Sequence, residues 1–508
     1  WCRSTGTAWH RRTPASRPMS SSISSALIVD ALRREKLLVG VQGTLPASFT
    51  SITDDSRVAT SGALFAAIRG SARDGHLFLP QVAAQGAAAA MVGDAAGVSL
   101  PVIVVSDTRR AVAVAAAAWY GEPARSLKLV GVTGTNGKTT SASMLRHLLS
   151  TGAHAAASIG TLGVLLGSEG RVLPGGGGLT TPGPIELQRV LRALCDDGVQ
   201  WVAMEASSHA LHQHRLDGLC FDVALFTNFT RDHLDYHGTM EEYFAAKAML
   251  LAQLAPEGSV VTNADDAAWS ALPAFTHRHL RFSAGAHVAD VYARRTEFTT
   301  VGSSFTLHAP ATDAVKVHLP LLGDFQVENA IGVAAVGVAL GMPLADIAGK
   351  LSTMPQVSGR LERLSTAPAV LRDYAHTPDA LERALQSVRP FAAGKVIVVF
   401  GAGGDRDRGK RPEMGRVAAQ LADVCVVTSD NPRTEDPSRI IDDIVAGMPE
   451  DRVVREEDRR EAIRRAIDLA GADDLVLLAG KGHETYQIRG TTSYPFDEAV
   501  IVAELTAR

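Results

Sequence analysis

Short apolar runs rich in Val, Ile and Leu recur along this chain at residues 101–105, 127–132, 201–204, 223–226, 396–400, 424–428 and 475–478, separated by stretches of helical pattern. Several are apolar without interruption, as strands covered on both faces of a parallel sheet must be. Parallel neighbours need a long crossover, normally a helix, so the alternation predicts an α/β architecture. No short-period repeat competes with it. A length of 508 residues corresponds to about three domains. Gly121-Glu122-Pro123 breaks the chain before the second run, and Pro355 and Gly359 follow a long Ala-rich helix. These breaks predict domains at 23–123, 124–356 and 357–508.

The balance of 50 Lys and Arg against 54 Asp and Glu leaves a formal charge of −4. Nothing in it drives binding to nucleic acid or to an anionic membrane surface. The apolar segments around 111–119 and 332–341 are too short to span a bilayer, which takes about 20 residues, and read as buried helices. Cys2, Cys195, Cys220 and Cys425 form no C-x-x-C pair and no metal-ligand spacing, and read as reduced thiols of a cytosolic protein. Residues 1–22 carry Arg3, Arg11, Arg12 and Arg17 with no acid. They read as a disordered or non-native extension: a transit peptide, or a stretch ahead of a start at Met19.

The densest chemical signal is Thr133-Gly134-Thr135-Asn136-Gly137-Lys138-Thr139-Thr140, between an apolar run and a helix from Ser141. Backbone N–H groups of such a turn cradle phosphate oxygens, and the helix N-terminus adds a favourable dipole. Lys138 is placed to reach the β- and γ-phosphates and the Thr139 hydroxyl to ligate Mg²⁺. Val132 stands where the usual phosphate-loop pattern has its first Gly. The run resembles the variant loop of the Mur ligases and the related folylpolyglutamate synthetases. The resemblance implies binding of ATP by Gly134, Thr135, Asn136, Gly137, Lys138, Thr139 and Thr140. In the reaction it implies, ATP phosphorylates a carboxylate, an amine attacks the acyl phosphate, and an amide, ADP and phosphate result.

Further motifs extend the resemblance nearly end to end from Met19. Glu205, after the 201–204 run, sits where a strand-end carboxylate can hold Mg²⁺. Thr227-Asn228-Phe229-Thr230-Arg231-Asp232-His233 resembles the family's metal loop, which makes His233 a metal ligand and Asp232 and His237 supporting candidates. Lys247 reads by periodicity alone as a solvated lysine. The segment Glu242-Tyr243-Phe244-Ala245-Ala246-Lys247 resembles the one in which the family carries a carbamylated lysine. Lys138, Glu205, His233 and Lys247 then form the catalytic set, with Thr139, Glu205, His233 and the Lys247 carbamate as the metal ligands. Asn329 matches the residue that meets adenine, and Arg360 and Asp373 match third-domain residues that reach ATP.

Substrate motifs narrow the expectation. Ser56 in Asp55-Ser56-Arg57, Thr180, Thr181, Ser207, Gln213 and Arg215 resemble positions that bind the UDP-muramoyl dipeptide. Asp430-Asn431-Pro432-Arg433 resembles the motif of members that add meso-diaminopimelate. A guanidinium can grip the distal carboxylate that lysine lacks. Arg406 is a second carboxylate partner by the same resemblance, while Glu484 and the Gly480 carbonyl receive the distal ammonium. The expected protein is a cytoplasmic, monomeric ligase of peptidoglycan synthesis that uses ATP and Mg²⁺. Its three parts are a UDP-binding domain, a central phosphate-loop domain and a Rossmann-like domain. It joins UDP-N-acetylmuramoyl-L-alanyl-D-glutamate to meso-diaminopimelate, with no nucleic-acid or membrane partner. A folylpolyglutamate synthetase and a scaffold of the same fold that has lost catalysis, as a plastid-targeted subunit, stay open beside it.

Overall fold

The computed structural model describes residues 22–70, 73–95, 97–176, 178–285, 288–299, 301–449 and 452–507. The extension expected at 1–22 lies outside them, apart from Ser22. The chain divides into two compact units: residues up to Val291 with Gly332–Pro343, and Tyr292–Ile331 with Leu344–Arg508. Every apolar run singled out above overlaps a strand, so the α/β expectation holds.

The first unit opens with a sheet in the order Leu38–Gln42, Val102–Val105, Ala89–Val92, Ala63–Ala66 and Ser51–Thr53, parallel except for its first pair. Ala-rich helix Thr108–Trp119 is buried along most of its length, and Asp107 caps it by accepting from the Arg109 and Arg110 N–H groups. In the second sheet of this unit, strand Lys128–Thr133 lies between Trp201–Glu205 and Phe221–Phe226, parallel to both. Ala157–Gly160 flanks Trp201–Glu205 on its other side. Chain order and sheet order therefore diverge at Lys128–Thr133. Such a switch point leaves a crevice at the carboxyl ends of the strands, where ligands of open α/β sheets bind. The register sets Glu205 beside Val132 and Phe226 beside Thr133, so three loops leave the sheet at one place.

The second unit contains a sheet ordered Glu362–Thr366, Ala369–Asp373, Leu475–Ala479, Val396–Phe400, Val424–Val427 and Val453–Arg455, again parallel after the first antiparallel pair. Strand Leu475–Ala479 is fully buried, with one apolar cluster on each face of the sheet. Arg459 and Glu498, both completely buried, pair at 2.7 Å, and Arg459 Nη2 donates to the Ala479 carbonyl at 3.0 Å. This anchors two helices to the end of that strand. Removing one partner would leave an unpaired buried charge, worth about 3–5 kcal/mol.

Cys195 and Cys425 are free and buried, as expected. Cys2 lies outside the described residues.

Candidate active site

The phosphate-loop candidate joins strand Lys128–Thr133 to helix Lys138–Leu149, one position pattern realised as a strand, a turn and a helix. Gly134 has φ +148°, and a Cβ there would sit 1.9 Å from Thr227 Oγ1, so no side chain is accommodated. The loop is braced by the 227–230 segment. Thr135 N donates to the Asn228 carbonyl at 2.7 Å, Asn136 N to Asn228 Oδ1 at 2.8 Å, and Thr227 Oγ1 to the Asn136 carbonyl at 2.6 Å. Gly137, at the N-cap of the helix, offers no side-chain acceptor to the first turn. Lys138 Nζ lies over the loop, donating to the carbonyls of Gly134 and Thr135 at 3.0 and 2.6 Å.

Glu205 ends its strand with 1% of its surface exposed. Its Oε2 accepts from Thr139 Oγ1 at 3.1 Å and Thr161 Oγ1 at 3.2 Å, and its Oε1 from Thr161 N at 2.7 Å. A hydroxyl and a carboxylate oxygen this close are hard donors of the kind Mg²⁺ takes. Thr161 was not among the residues singled out from sequence. Its one signal, a Gly-Thr step after a short apolar run, is too common to be read alone.

His233 has φ +54° and stands before the short helix Leu234–His237. Its ring centroid lies 4.8 Å from that of His209 and 6.0 Å from that of Tyr243. Burial holds its imidazole below the ordinary value. Asp232 approaches His233 Nε2 at 3.6 Å, and buried His237 contacts Ser208 Oγ through Nε2 at 3.0 Å. His209, also unforeseen from sequence, touches the rings of His233, Tyr236 and His237.

Lys247 corrects the periodicity reading. It is 1% exposed, its Nζ donates to the Gly134 carbonyl at 2.7 Å, and it lies 4.3 Å from the centre of the Tyr243 ring. Burial, with the Lys138 charge adding to it, holds its ammonium well below the usual lysine range. Helix Met240–Ala248 carries Glu241, Glu242 and Lys247 on different sides, so charge pattern could not identify its buried face. Among the described residues no group of three or more His, Cys, Asp or Glu is gathered for a metal. As an ammonium Lys247 cannot ligate a cation, so the expected donor set is complete only with a modified lysine.

Substrate candidates of this unit adjoin Glu205 and its partner Thr161. Thr181 Oγ1 donates to the Glu205 carbonyl at 2.8 Å and meets Ser207 Oγ at 3.0 Å, and Thr180 Oγ1 accepts from Thr161 Oγ1 at 3.3 Å. Arg215 donates to the Thr181 carbonyl at 2.9 Å and to Gln213 Oε1, while Gln213 Nε2 donates to the Tyr236 hydroxyl at 3.0 Å. Ser56 is buried next to the Asp55–Arg57 ion pair. Burial raises the neighbouring Asp54 carboxyl, and the Arg215 charge opposes that rise.

In the second unit, Leu361 N donates to Asp373 Oδ2 at 2.8 Å, and the Arg360 guanidinium lies 5.0 Å from the Tyr374 ring centre. Burial raises Asp373 above the ordinary carboxylate range. Asn329 is buried in helix Asp324–Ala339. The 430–433 run follows strand Val424–Val427, and Arg433 is held at φ +50° by main-chain bonds to Ile488 and Gly490. Non-Gly residues in that region cost about 1–3 kcal/mol and cluster at functional sites. Arg433 Nη1 donates to the Gly404 carbonyl at 2.8 Å. A Cβ on Gly403 would lie 3.0 Å from Arg433 Nη1 and 3.7 Å from Arg406 Cγ, so both arginines border one glycine. Asn431 Nδ2 donates to Glu484 Oε2 at 2.9 Å, and Asp430 Oδ2, over Gly480, is buried with no hydrogen-bond partner among the described residues.

Comparison with known proteins places these sites in context. The family model described as Mur ligase middle domain matches residues 132–337, the Mur ligase, glutamate ligase domain matches 359–482, and the Mur ligase family, catalytic domain matches 48–121. The UDP-N-acetylmuramoyl-L-alanyl-D-glutamate--2,6-diaminopimelate ligase of Geobacillus kaustophilus is 44% identical over 88% of this chain and 92% of its own. Its counterpart from Synechococcus elongatus is 45% identical over 89% and 93%. A solved structure of a ligase with that name has a TM-score of 0.65 at 34% identity, covering 90% of this chain and 95% of that one. A folylpolyglutamate synthase from Mycobacterium tuberculosis complexed with ADP shares the fold, with a TM-score of 0.61 at 20% identity over 73% and 91%.

Proposed function

The chain belongs to the Mur ligase family, and we propose that it joins meso-diaminopimelate to UDP-N-acetylmuramoyl-L-alanyl-D-glutamate with hydrolysis of ATP. The observation that carries this reading is the convergence of the phosphate loop and the substrate candidates on one buried residue, Glu205. Glu205 bonds Thr139 through its side chain and Thr181 through its carbonyl. In this reading Glu205 would set the γ-phosphoryl group beside the glutamate carboxylate it must meet, the entropic part of the catalysis.

The bond changes follow from the chemistry. A substrate carboxylate oxygen takes the γ-phosphoryl group and ADP leaves. The amine of the amino acid attacks the acyl carbon, phosphate departs, and the amine proton goes to base or solvent. In this reading the loop N–H groups and Lys138 offset phosphate charge, an electrostatic role that strengthens as the charge shifts. Thr139, Glu205, His233 and Lys247 as carbamate would hold Mg²⁺, which when bound supplies further neutralisation of phosphate oxygens. The depressed basicity of Lys247 supports its modification, because the neutral amine is the form that adds CO₂ and releases a proton. Arg433 and Arg406 take the distal carboxylate of diaminopimelate, and Glu484 takes its ammonium. Asn329, Arg360 and Asp373 serve ATP, and Ser56, Gln213 and Arg215 serve the nucleotide substrate.

The reading includes domains at 23–123, 124–356 and 357–508 and a monomer in the cytoplasm. Among the described residues no helix is long and apolar enough to cross a membrane. Phosphate release, measured with the UDP-muramoyl dipeptide and a panel of amino acids, tests the proposal. Release should require the dipeptide and be fastest with meso-diaminopimelate. Release with a folate and glutamate instead, or none with any combination, would overturn it.

A further inference from the structure

Lys481 is a charged group that neither the sequence motifs nor the proposed reaction uses. It lies in the turn after strand Leu475–Ala479 with no exposed surface. Its Nζ donates to Asn431 Oδ1 at 3.1 Å and to Glu484 Oε2 at 3.2 Å. Asn431 is itself fixed, since its Oδ1 also accepts from Ile488 N at 2.9 Å while its Nδ2 donates to the same Glu484 Oε2. Two donors thus occupy one carboxylate oxygen. Among the described residues Glu484 Oε1 has no hydrogen-bond partner, and the side chain keeps 15% of its surface exposed. The rings of Tyr486 and Phe496, centred 5.9 and 6.0 Å from Lys481 Nζ, flank the ammonium.

We propose that Lys481 is a specificity-determining residue: its buried ammonium offsets the Glu484 carboxylate, so the site accepts a substrate end carrying both charges and disfavours one carrying an ammonium alone. The inference rests on the reading that Asn431, Arg433 and Glu484 hold the distal end of the amino acid. Lys481 and Glu484 sum to zero charge. A distal ammonium placed on Glu484 Oε1 has the Lys481 ammonium directly behind the carboxylate, an unscreened like charge in a buried site. A zwitterionic end brings its own carboxylate to Arg433 and adds no net charge to the site. A lysine side chain brings only the cation and leaves Arg433 unmatched. Discrimination then has two sources, the arginine that attracts the carboxylate and the lysine that disfavours the unaccompanied ammonium.

The experiment measures kcat/KM for meso-diaminopimelate and for lysine in the full-length wild type, Lys481→Met and Lys481→Gln. Met removes the charge and keeps the stem; Gln also removes the charge but retains hydrogen-bonding capacity toward Asn431 and Glu484. Both variants should use lysine better than wild type in absolute terms. The diaminopimelate-to-lysine ratio should fall at least about tenfold, the scale of one removed like charge at this range, with KM for ATP unchanged. A residue that only supports the fold would lower both substrates together. An unchanged ratio, a parallel fall, or failure of both variants to fold would overturn the assignment. A wild type that prefers lysine, or uses neither amino acid, would instead overturn the reading of the site beneath it.

Discussion

Gly160→Ala is the change whose consequence is most directly worked from distances. Gly160 ends strand Ala157–Gly160, and a Cβ there would lie 2.1 Å from Glu205 Oε1 and 2.7 Å from Glu205 Cγ and Cδ. Ordinary contact is about 3.4 Å or more, so the carboxylate must retreat by about 1 Å. It is buried and already committed to Thr139 Oγ1, Thr161 N and Thr161 Oγ1 at 3.1, 2.7 and 3.2 Å. A retreat of that size takes all of these bonds past useful length. A misplacement of about 1 Å in a positioned group costs about 100-fold in rate. Turnover should therefore fall at least ~100-fold. Stability should change much less. Overpacking costs about 1–3 kcal/mol, while replacing glycine in the unfolded chain returns about 0.4–1 kcal/mol. Gly152→Ala is the control, because a Cβ there meets nothing within 4 Å. The assay is phosphate release at saturating substrates, with a melting curve for each variant. If Gly160→Ala turns over within threefold of wild type, or loses activity only in proportion to its unfolded fraction, Glu205 is not held where the reaction needs it.

Lys247→Ala should be nearly inactive, and formate or acetate should restore part of the activity by filling the anionic gap; full activity without either would mean the lysine is structural. Arg433→Ala should lose about 2–5 kcal/mol of diaminopimelate recognition, read as kcat/KM, with lysine used as poorly as before; an equal fall for both amino acids would assign Arg433 to the fold. Glu435 is held down to about 2 from 4.5, first by its bonds to Arg411, then by Arg408 and the Asp405 N–H. Its pKa is lowered in the folded state, so its contribution is present above 4.5 and is lost as pH falls from 4.5 toward 2. Glu435→Gln should melt below wild type at pH 7, with the gap narrowing by pH 3; a gap independent of pH would show that charge is not what Glu435 contributes.

The sequence alone determined what adjacent residues can encode. Uninterrupted apolar runs mark strands buried on two faces, and the observed strands Val102–Val105, Trp201–Glu205, Phe221–Phe226, Val396–Phe400 and Leu475–Ala479 lie on them. The phosphate loop is equally legible, because strand, glycine turn and helix start are contiguous and each requires particular residues. The tertiary structure decided which strands are neighbours. Trp201–Glu205 and Phe221–Phe226 flank Lys128–Thr133, and that order, invisible in periodicity, brings Glu205 to Thr139 and Thr227 to the loop. It also decided burial on faces that composition leaves ambiguous. Lys247 reads as a surface cation on its own helix, yet packing against the Gly134 carbonyl and the Tyr243 ring removes it from water and lowers its basicity. Thr161, Gly160 and Lys481 were unreadable for the same reason. Thr161 and Gly160 act on Glu205, 44 and 45 residues away in the chain, and Lys481 acts on nearby Glu484 only in concert with Asn431, 50 residues away. Apolar pattern records which side of an element faces a core, and only the folded chain records which polar group waits on the other side.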